Sequence, residues 1–361
     1  METPRSLRVR AASDCEARLP FVLDVAPTDP GAAWDAFAES HPDGHLGHAS
    51  AWARVLSRAY GLEPVFLQAR GPSGRLRGVL PLVRFRSLSG AERLVSLPFL
   101  DCAGVLAEDA ETEEALLRAA LRHGSCVELR QRTPLRGVAV EPSNRVDCFL
   151  NLGGAGEDAL WRSLPGKVRN QTRKATKEGC AIDASDAEPV KIFQRIHRIH
   201  MRELGSPPHA ERFHAEVVRQ FGARAHVVVA RHDGVAAGAL VAIDFAGART
   251  VPWASTLAEH RASCLNNLLY WEALRRADAT DVREFDFGRS PRDGGTHRFK
   301  RGWGAAERPL YWFALDASGR VQTAQSEGDS PVLRSLTRIW RRLPARVCNR
   351  VGPLLRKRIA S

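Results

Sequence analysis

The chain has 361 residues and a net charge of +12, with 44% hydrophobic and 26% charged residues. This composition excludes a mostly disordered chain, and the length allows two ordinary domains or one large one. No stretch approaches the roughly 20 apolar residues of a membrane-spanning helix, and the N-terminal segment lacks the apolar run of a secretory signal. We therefore expect a cytoplasmic protein whose basic surface attracts anions such as nucleic acid, lipid headgroups or phosphate-bearing substrates.

Alternating apolar residues and turn signals predict similar strand–turn–strand segments at 64–85 and 226–245. Both second strands contain a glycine, Gly78 and Gly238, and the pair Asp233-Gly234 is typical of a hairpin turn. A third strand is predicted after each hairpin, at 92–99 and 249–256. Helical periodicity follows at 112–124 and 263–277, with Ser263 as a candidate N-cap. Each helix leads to a further strand, at 125–132 and 282–290.

The order β-β-β-α-β thus occurs twice, about 160 residues apart, and this order is similar to that of the GNAT acyltransferase fold. In that fold a mixed sheet splays open between two strands and the acyl donor enters the gap. The predicted fold class is therefore α/β (α+β), with two tandem GNAT-like domains that have mixed sheets.

Between the two halves the sequence predicts a strand at 145–152, a helix at 157–178 interrupted at Pro165, and a helical pair at 188–204 and 209–221. We place the domain boundary near residue 155. Residues 1–155 then form the N-terminal domain, 156–325 the C-terminal domain with the candidate active site, and 326–361 a basic amphipathic tail.

Basic residues cluster in the segment 167–179, where Arg169 and Arg173 lie on one helical face. A solvated helix face would account for such a cluster. However, acidic partners at helical spacing are absent before Glu178, and unpaired positive charge suits an anionic ligand.

The strand 285–290 ends in Asp286, Gly288 and Arg289, which places polar groups where open α/β sheets bind ligands. Asp286 is a candidate general base or orienting acceptor, and Arg289 a candidate phosphate or carboxylate ligand. A turn-stabilising ion pair is the alternative for these two residues. Downstream, Lys300 is a candidate for stabilising an oxyanion, whereas His297 is expected to be a surface histidine.

At these motifs the sequence resembles the FemAB/FemX family of aminoacyl transferases, and more narrowly the FemAB-related proteins found with exosortase/PEP-CTERM and exopolysaccharide loci. The stretches that carry the resemblance are SLPFLDCAGVL (96–106), KVRNQTRKATKEG (167–179), MRELGSPPH (201–209), VPWASTL (251–257), NNLLYWEAL (266–274) and FDFGRSPRDGGTHRFKRGWGA (285–305).

The resemblance implies a duplicated GNAT-like fold and a Phe-Lys pair, here Phe299 and Lys300, in which the lysine supports acyl transfer. The family's basic helix matches this chain at Arg169, Asn170, Arg173, Lys174 and Ala175, with Thr172 where an isoleucine is usual. We assign Lys300 and Asp286 as catalytic residues. The expected substrate-binding residues are Arg169, Asn170, Arg173, Lys174, Arg289, Phe299 and Trp303.

The expected activity is N-acyl or aminoacyl transfer to a cell-envelope or exopolysaccharide precursor. No permanent cofactor or metal is expected, because the seven cysteines form no C-x-x-C pair and no cluster with histidine. The donor would be a co-substrate, either aminoacyl-tRNA or acyl-CoA, and the acceptor an anionic nucleotide- or lipid-linked precursor. The oligomeric state stays open.

Two alternatives remain open, an acetyl-CoA-dependent GNAT acetyltransferase and a non-catalytic scaffold that binds RNA or membrane. An R-x-x-G-x-A string at 231–236 resembles an acyl-CoA loop, but we expect it to be a hairpin turn.

The C-terminal segment from Leu333 to Arg358 is basic, has no acidic residue, and repeats apolar residues at steps of three and four. This pattern is typical of an interfacial membrane helix. A helix packed on the domain with its basic side in water accounts for the pattern equally well.

Overall fold

The computed structural model describes residues 21–26, 30–138, 140–154, 156–185, 188–323, 337 and 339–359. These residues form two compact units. The first unit takes the described residues before Val146 together with 309–323. The second takes Val146–Arg308 and the described C-terminal residues up to Lys357.

The first unit is built on an eight-stranded sheet with the order β1-β2-β3-β4-β6-β14-β15, with β5 paired to β3. Its elements are β1 (Val22–Val25), α1 (Gly31–Ser40), α2 (Ala51–Tyr60), β2 (Glu63–Arg70), β3 (Leu76–Arg86), β4 (Glu92–Val95), β5 (Leu106–Ala107), α3 (Ala110–His123), β6 (Cys126–Gln131), β14 (Tyr311–Asp316) and β15 (Val321–Thr323). The β4–β6 pair is parallel, whereas β2–β3 and β3–β4 are antiparallel, so the sheet is mixed.

The second unit is built on a seven-stranded sheet with the order β13-β7-β12-β11-β10-β9-β8. Its elements are β7 (Arg145–Asn151), α4 (Glu157–Ser163), α5 (Gly166–Lys177), β8 (Cys180–Ile182), α6 (Pro189–Leu204), α7 (Glu211–Phe221), β9 (Ala225–His232), β10 (Val235–Phe245), β11 (Ala248–Thr256), α8 (Leu265–Asp278), β12 (Glu284–Pro291), α9 (Gly295–Arg301), β13 (Ala306–Pro309) and α10 (Ala345–Arg356). This sheet is also mixed, because β11–β12 is parallel and β10–β11 antiparallel.

The predicted repeat is confirmed and is longer than the sequence indicates. Strand, two helices, three antiparallel strands, helix and strand follow in the same order in β1 to β6 and in β8 to β12, except that the two-residue strand β5 is added before α3 in the first unit. The opening strand and helical pair of the first unit were not predicted. The hairpin turn was predicted correctly, since Asp233 and Gly234 have φ values of 49° and 77°.

Gly78 and Gly238 occupy matching places beneath the helices of the two units. A Cβ at Gly78 would lie 2.7 Å from Thr112 and 2.9 Å from Leu116 of α3. A Cβ at Gly238 would lie 2.2 Å from Leu265 and 2.9 Å from Leu269 of α8. In both units a strand glycine therefore allows two side chains one helical turn apart to pack directly on the sheet.

Three details differ from the sequence analysis. Strands β14 and β15 belong to the sheet of the first unit, although the domain prediction assigned 156–325 to the second. The units divide at Val146, before the glycine-rich turn placed near residue 155. Finally, Ser263 is not the N-cap of α8: its hydroxyl donates to the His260 carbonyl, and Cys264 occupies the cap position at φ 60°.

Candidate functional site

A gap opens within the second sheet where β11 and β12 stop pairing. Their parallel register runs from Ala248 opposite Glu284 to Thr250 opposite Asp286. Beyond this point β11 stays paired with β10 as far as Thr256, while β12 continues to Pro291. In the part of the chain that the structure describes, no backbone pairing joins these two continuations. The polar groups along both edges of the gap must therefore find other partners.

Asp286 and Lys300 supply partners for the β12 edge. The Asp286 carboxylate accepts the Gly288 N–H at 2.7 Å, and its other oxygen lies 3.4 Å from the Thr250 hydroxyl. The Lys300 ammonium donates to the carbonyls of Gly288 at 2.7 Å and Arg289 at 2.8 Å. Consecutive carbonyls of a regular strand point in opposite directions, so β12 departs from regular strand geometry here. Gly288 has a φ of 74°, a left-handed conformation that favours glycine, and we call this point the bend of β12.

These contacts bring the two predicted catalytic residues to one place. Asp286 and Lys300 are both buried, with 2% and 6% of their surfaces exposed. Both carboxylate oxygens of Asp286 lie near donors, so the contacts favour the orienting role over the role of a base. Lys300 places a buried positive charge directly beneath the bend of β12, where a polarised carbonyl would gain most from it.

The strand on the far side of β12 supplies no thiol nucleophile. Cys148 on β7 is fully buried, and burial raises the pKa of its thiol to about 11 although the charge of Lys300 acts to lower it. The thiol is therefore protonated at neutral pH and packs as a small apolar residue. Cys102 is buried too, whereas Cys126 and Cys264 are half-buried.

Phe299 and Trp303 lie in an aromatic core beside the gap. Trp303 is 1% exposed and packs against Phe287 and Tyr270, with ring centroids 5.9 and 6.3 Å away. Phe299 is half-buried and packs edge-on against Tyr270 at 5.3 Å. Most of the surface of these two side chains is buried in this core. Only the exposed part of the Phe299 ring can make the predicted contact with substrate.

His297 anchors the first turn of α9. It is 2% exposed, so the expectation of a surface histidine is wrong. Its Nδ1 accepts the Asp293 N–H at 2.9 Å, and its Nε2 lies 2.9 Å from a Glu307 carboxylate oxygen. These contacts fix the start of α9, the helix that carries Lys300 toward β12.

Helix α5 presents the basic residues beside this core. Val168 of α5 belongs to the same apolar cluster as Trp303. Arg169 is half-buried, and its Nε has no hydrogen-bond partner in the described structure. Arg173 is exposed, lies 5.3 Å over the Trp161 ring and points one nitrogen to Asn170 at 3.4 Å.

Lys174 and Thr172 have structural contacts. The Lys174 ammonium donates to the Ala262 carbonyl at 2.9 Å, tying α5 to the loop before α8. The buried Thr172 hydroxyl donates to the Val168 carbonyl at 3.0 Å, which explains how a threonine is accommodated where an isoleucine is usual. Of the predicted substrate-binding residues on α5, Arg169, Asn170 and Arg173 therefore remain available to a ligand.

Two groups of residues near the gap were not singled out by the sequence analysis. The hydroxyl of Ser290 on β12 is fully buried and makes no hydrogen bond to any described residue. On the β11 edge, the Thr256 N–H donates to His200 Nδ1 at 3.0 Å. Burial lowers the pKa of His200 to about 4, so this ring is a neutral acceptor at physiological pH.

A histidine cluster lies between β11 and the helices α6 and α7. His197, His209 and His214 are buried, and the His197 ring places Nδ1 3.1 Å from the Ser255 hydroxyl. Burial lowers the pKa of His214 to about 3 and the pKa values of His197 and His209 well below 6.5. No pattern in the sequence indicates this cluster, because its members come from two helices and the loop between them.

A comparison with protein-family models matches the part of the chain that contains this site. Residues 162–301 match a family model described as an acetyltransferase (GNAT) domain, and this segment runs from the end of α4 to the end of α9. A comparison with curated protein sequences found no match.

Solved structures with the same fold include FemX, with a TM-score of 0.64 at 13% identity over 81% of this chain and 96% of that chain. L-PGS from Bacillus licheniformis gives 0.54 at 14% identity over 89% and 100%. The C-terminal domain of a putative lysylphosphatidylglycerol synthetase from Agrobacterium fabrum gives 0.50 at 13% identity over 76% and 88%. At these identities the likeness shows the fold alone, and it confirms the predicted class of a mixed α/β protein with GNAT-like units.

In the described chain, no helix is both long and apolar enough to cross a membrane. No group of three or more potential metal-binding side chains comes together in the same residues.

Proposed function

We propose that the second unit transfers an acyl or aminoacyl group to an amine, with the reactive end of the donor in the gap between β11 and β12. The observation that carries this proposal is the end of pairing at Thr250 and Asp286, with Lys300 fixed beneath the bend that follows. The backbone N–H and C=O groups of an unpaired strand edge can form hydrogen bonds with an extended donor arm, in the way that they would with an additional strand. The fold shared with GNAT-type structures supports this placement.

In this proposal the amine attacks the donor carbonyl, and the negative charge that develops on the carbonyl oxygen is stabilised by the buried charge of Lys300. Asp286 is a positioning residue, because its carboxylate fixes the Gly288 N–H and so the bend of β12. The tetrahedral intermediate collapses with loss of the donor's leaving group, which takes up the proton that the amine loses.

The loop from β11 to α8 favours aminoacyl-tRNA over acyl-CoA as donor. Two of its N–H groups, those of His260 and Cys264, are used by internal turns to Leu257 and Arg261. The loop contains no glycine, and the left-handed position before α8 is taken by Cys264. This arrangement leaves less open backbone for a pyrophosphate than a glycine-rich loop would.

The acceptor in this proposal is an anionic precursor of the cell envelope or of an exopolysaccharide, bound by Arg169 and Arg173. The half-buried Arg169, whose Nε has no partner among the described residues, supports an anionic ligand there. This choice of precursor is supported by the resemblance of the sequence to FemAB-related proteins found with exosortase/PEP-CTERM and exopolysaccharide loci.

A thermal-shift panel with acetyl-CoA, aminoacyl-tRNA, and nucleotide- or lipid-linked precursors tests the proposal. A ligand at one hundred times its dissociation constant stabilises the protein by about 2.7 kcal/mol. We expect stabilisation by aminoacyl-tRNA and none by acetyl-CoA. The reverse result would identify an acetyl-CoA-dependent acetyltransferase. If no donor bound and only RNA or lipid stabilised the chain, it would be a non-catalytic scaffold.

A further inference from the structure

The C-terminal helix α10 has one side packed against the second unit. Cys348 is 1% exposed, and a Cβ at Gly352 would lie 2.6 Å from the Pro208 ring. One turn further on, Arg356 donates to His209 Nε2 at 3.2 Å. Residues 348, 352 and 356 recur at steps of four and therefore lie on one side of the helix. Through this side, α10 packs on the loop between α6 and α7.

The other side of α10 exposes apolar residues to solvent. Val347, Val351 and Leu354 are 40%, 38% and 66% exposed and follow the i, i+4, i+7 spacing of a single stripe. Arg346 and Arg350 are also exposed, lie along one flank of this stripe, and form no ion pair with any residue that the structure describes. Among the described residues, the helix is therefore covered on the first side and exposed on the second.

We infer that the Val347–Val351–Leu354 stripe of α10 docks on the surface of an anionic lipid bilayer. An apolar stripe bordered by arginines matches the boundary between acyl chains and anionic headgroups. Charge complementarity favours this occupant, because no acidic residue occurs between positions 333 and 358. The helix has 12 residues with Pro353 inside it, a length that lies on a bilayer and cannot cross one.

The contacts of α10 connect this surface with the β11 side of the second unit. Pro208 and His209 belong to the loop between α6 and α7, and His209 stacks on Phe213 at 4.3 Å within the cluster against β11. A bilayer that holds α10 therefore lies near this loop. If the proposed acyl transfer is correct, on which this step rests, the acceptor is a lipid-anchored molecule presented at that bilayer.

Point variants test the docking better than truncation, because removing α10 would also uncover Pro208 and His209. The full-length protein is sedimented with phosphatidylcholine vesicles with and without phosphatidylglycerol. Leu354→Glu should weaken binding to the anionic vesicles at least tenfold. Val235→Glu is the matched control, because Val235 is 55% exposed on a distant hairpin of the same unit. Arg346→Gln with Arg350→Gln should weaken binding about twentyfold, since each arginine near an anionic leaflet contributes roughly a factor of five.

Equal pelleting of Leu354→Glu and wild type would overturn the inference, as would equal binding to vesicles without phosphatidylglycerol. A dimer that Leu354→Glu dissociates, or tRNA binding that the arginine variant abolishes while vesicles never bind, would assign the stripe to a second copy or to RNA and would also overturn it. Vesicle binding does not require acyl transfer. Lys300→Met should therefore pellet like the wild type, so failure of the proposed function is distinguishable from failure of the docking.

Discussion

Replacing Lys300 with methionine tests whether one side chain both shapes the gap and serves the chemistry. Methionine keeps most of the apolar stem and removes the ammonium. Two charge-assisted hydrogen bonds, to the carbonyls of Gly288 and Arg289, are then lost. Such bonds contribute about 1.5–3 kcal/mol each, and a carbonyl left buried without a partner costs about 1–3 kcal/mol.

The expected loss of unfolding free energy is about 3 kcal/mol, the lower end for the two hydrogen bonds alone. The carbonyls border a gap that water can enter, so they do not add the cost of a buried group without a partner. Lys300→Ala should cost about 2 kcal/mol more, since it also deletes the buried stem. The sequence alone suggests a change in chemistry without a change in stability, whereas the structure predicts both. Lys191→Met is the matched control, because the Lys191 side chain is 72% exposed, and it should change stability by less than about 0.5 kcal/mol.

Urea unfolding measures the first effect. Turnover, with the donor identified by the thermal-shift panel and at a temperature where the variant stays folded, measures the second. Loss of one oxyanion-stabilising group lowers kcat about 10²- to 10³-fold. A variant with wild-type stability would show that Nζ does not hold the two carbonyls. A destabilised variant with wild-type kcat would show that Lys300 only braces β12, and the catalytic assignment would be wrong.

Gly238→Ala should lower the unfolding free energy by about 1–3 kcal/mol, because the added Cβ would collide with α8. Gly153→Ala is the control and should be neutral, because its Cβ would meet no atom within 4 Å. Equal urea midpoints of the two variants would contradict this packing. The pKa of His214 is about 3 when folded and 6.5 when unfolded, so the unfolded chain binds the proton first. Its contribution to stability is complete above pH 6.5 and is lost as the pH falls toward 3, by about 2 kcal/mol at pH 5. His214→Phe should therefore flatten the loss of stability between pH 7 and pH 5, and an unchanged slope in urea titrations would exclude this role. Replacing Arg169 and Arg173 with glutamine should weaken binding of the anionic acceptor strongly at low salt and much less at high salt. Calorimetric titration measures this binding. A loss of affinity that does not change with salt would point to a packing defect.

The sequence alone was sufficient for the β-β-β-α-β part of the repeat, because local signals determine it. Alternating apolar residues, the Asp233-Gly234 turn and helical periodicity are read from neighbouring positions, and they predicted β2–β3, β9–β10, α3 and α8 within a few residues. It did not predict β14 and β15, because these strands join a sheet whose other members lie about 180 or more residues earlier in the chain. Their short apolar runs carry no signal of that distant partner.

For the candidate site, the sequence indicated the candidate catalytic residues, and the tertiary structure decided how they are arranged. The motif around Asp286 and Lys300 is visible along the chain, but their shared attachment to the bend at Gly288 requires α9 to fold back on β12. The periodicity of the C-terminal segment fits a packed helix and a membrane helix equally, since both need an apolar stripe. Only tertiary contacts show that the side of α10 with Cys348 and Gly352 is covered, whereas the side with Leu354 is exposed to solvent. Burial is a property of the space around a residue, so no pattern within the helix itself could have assigned it.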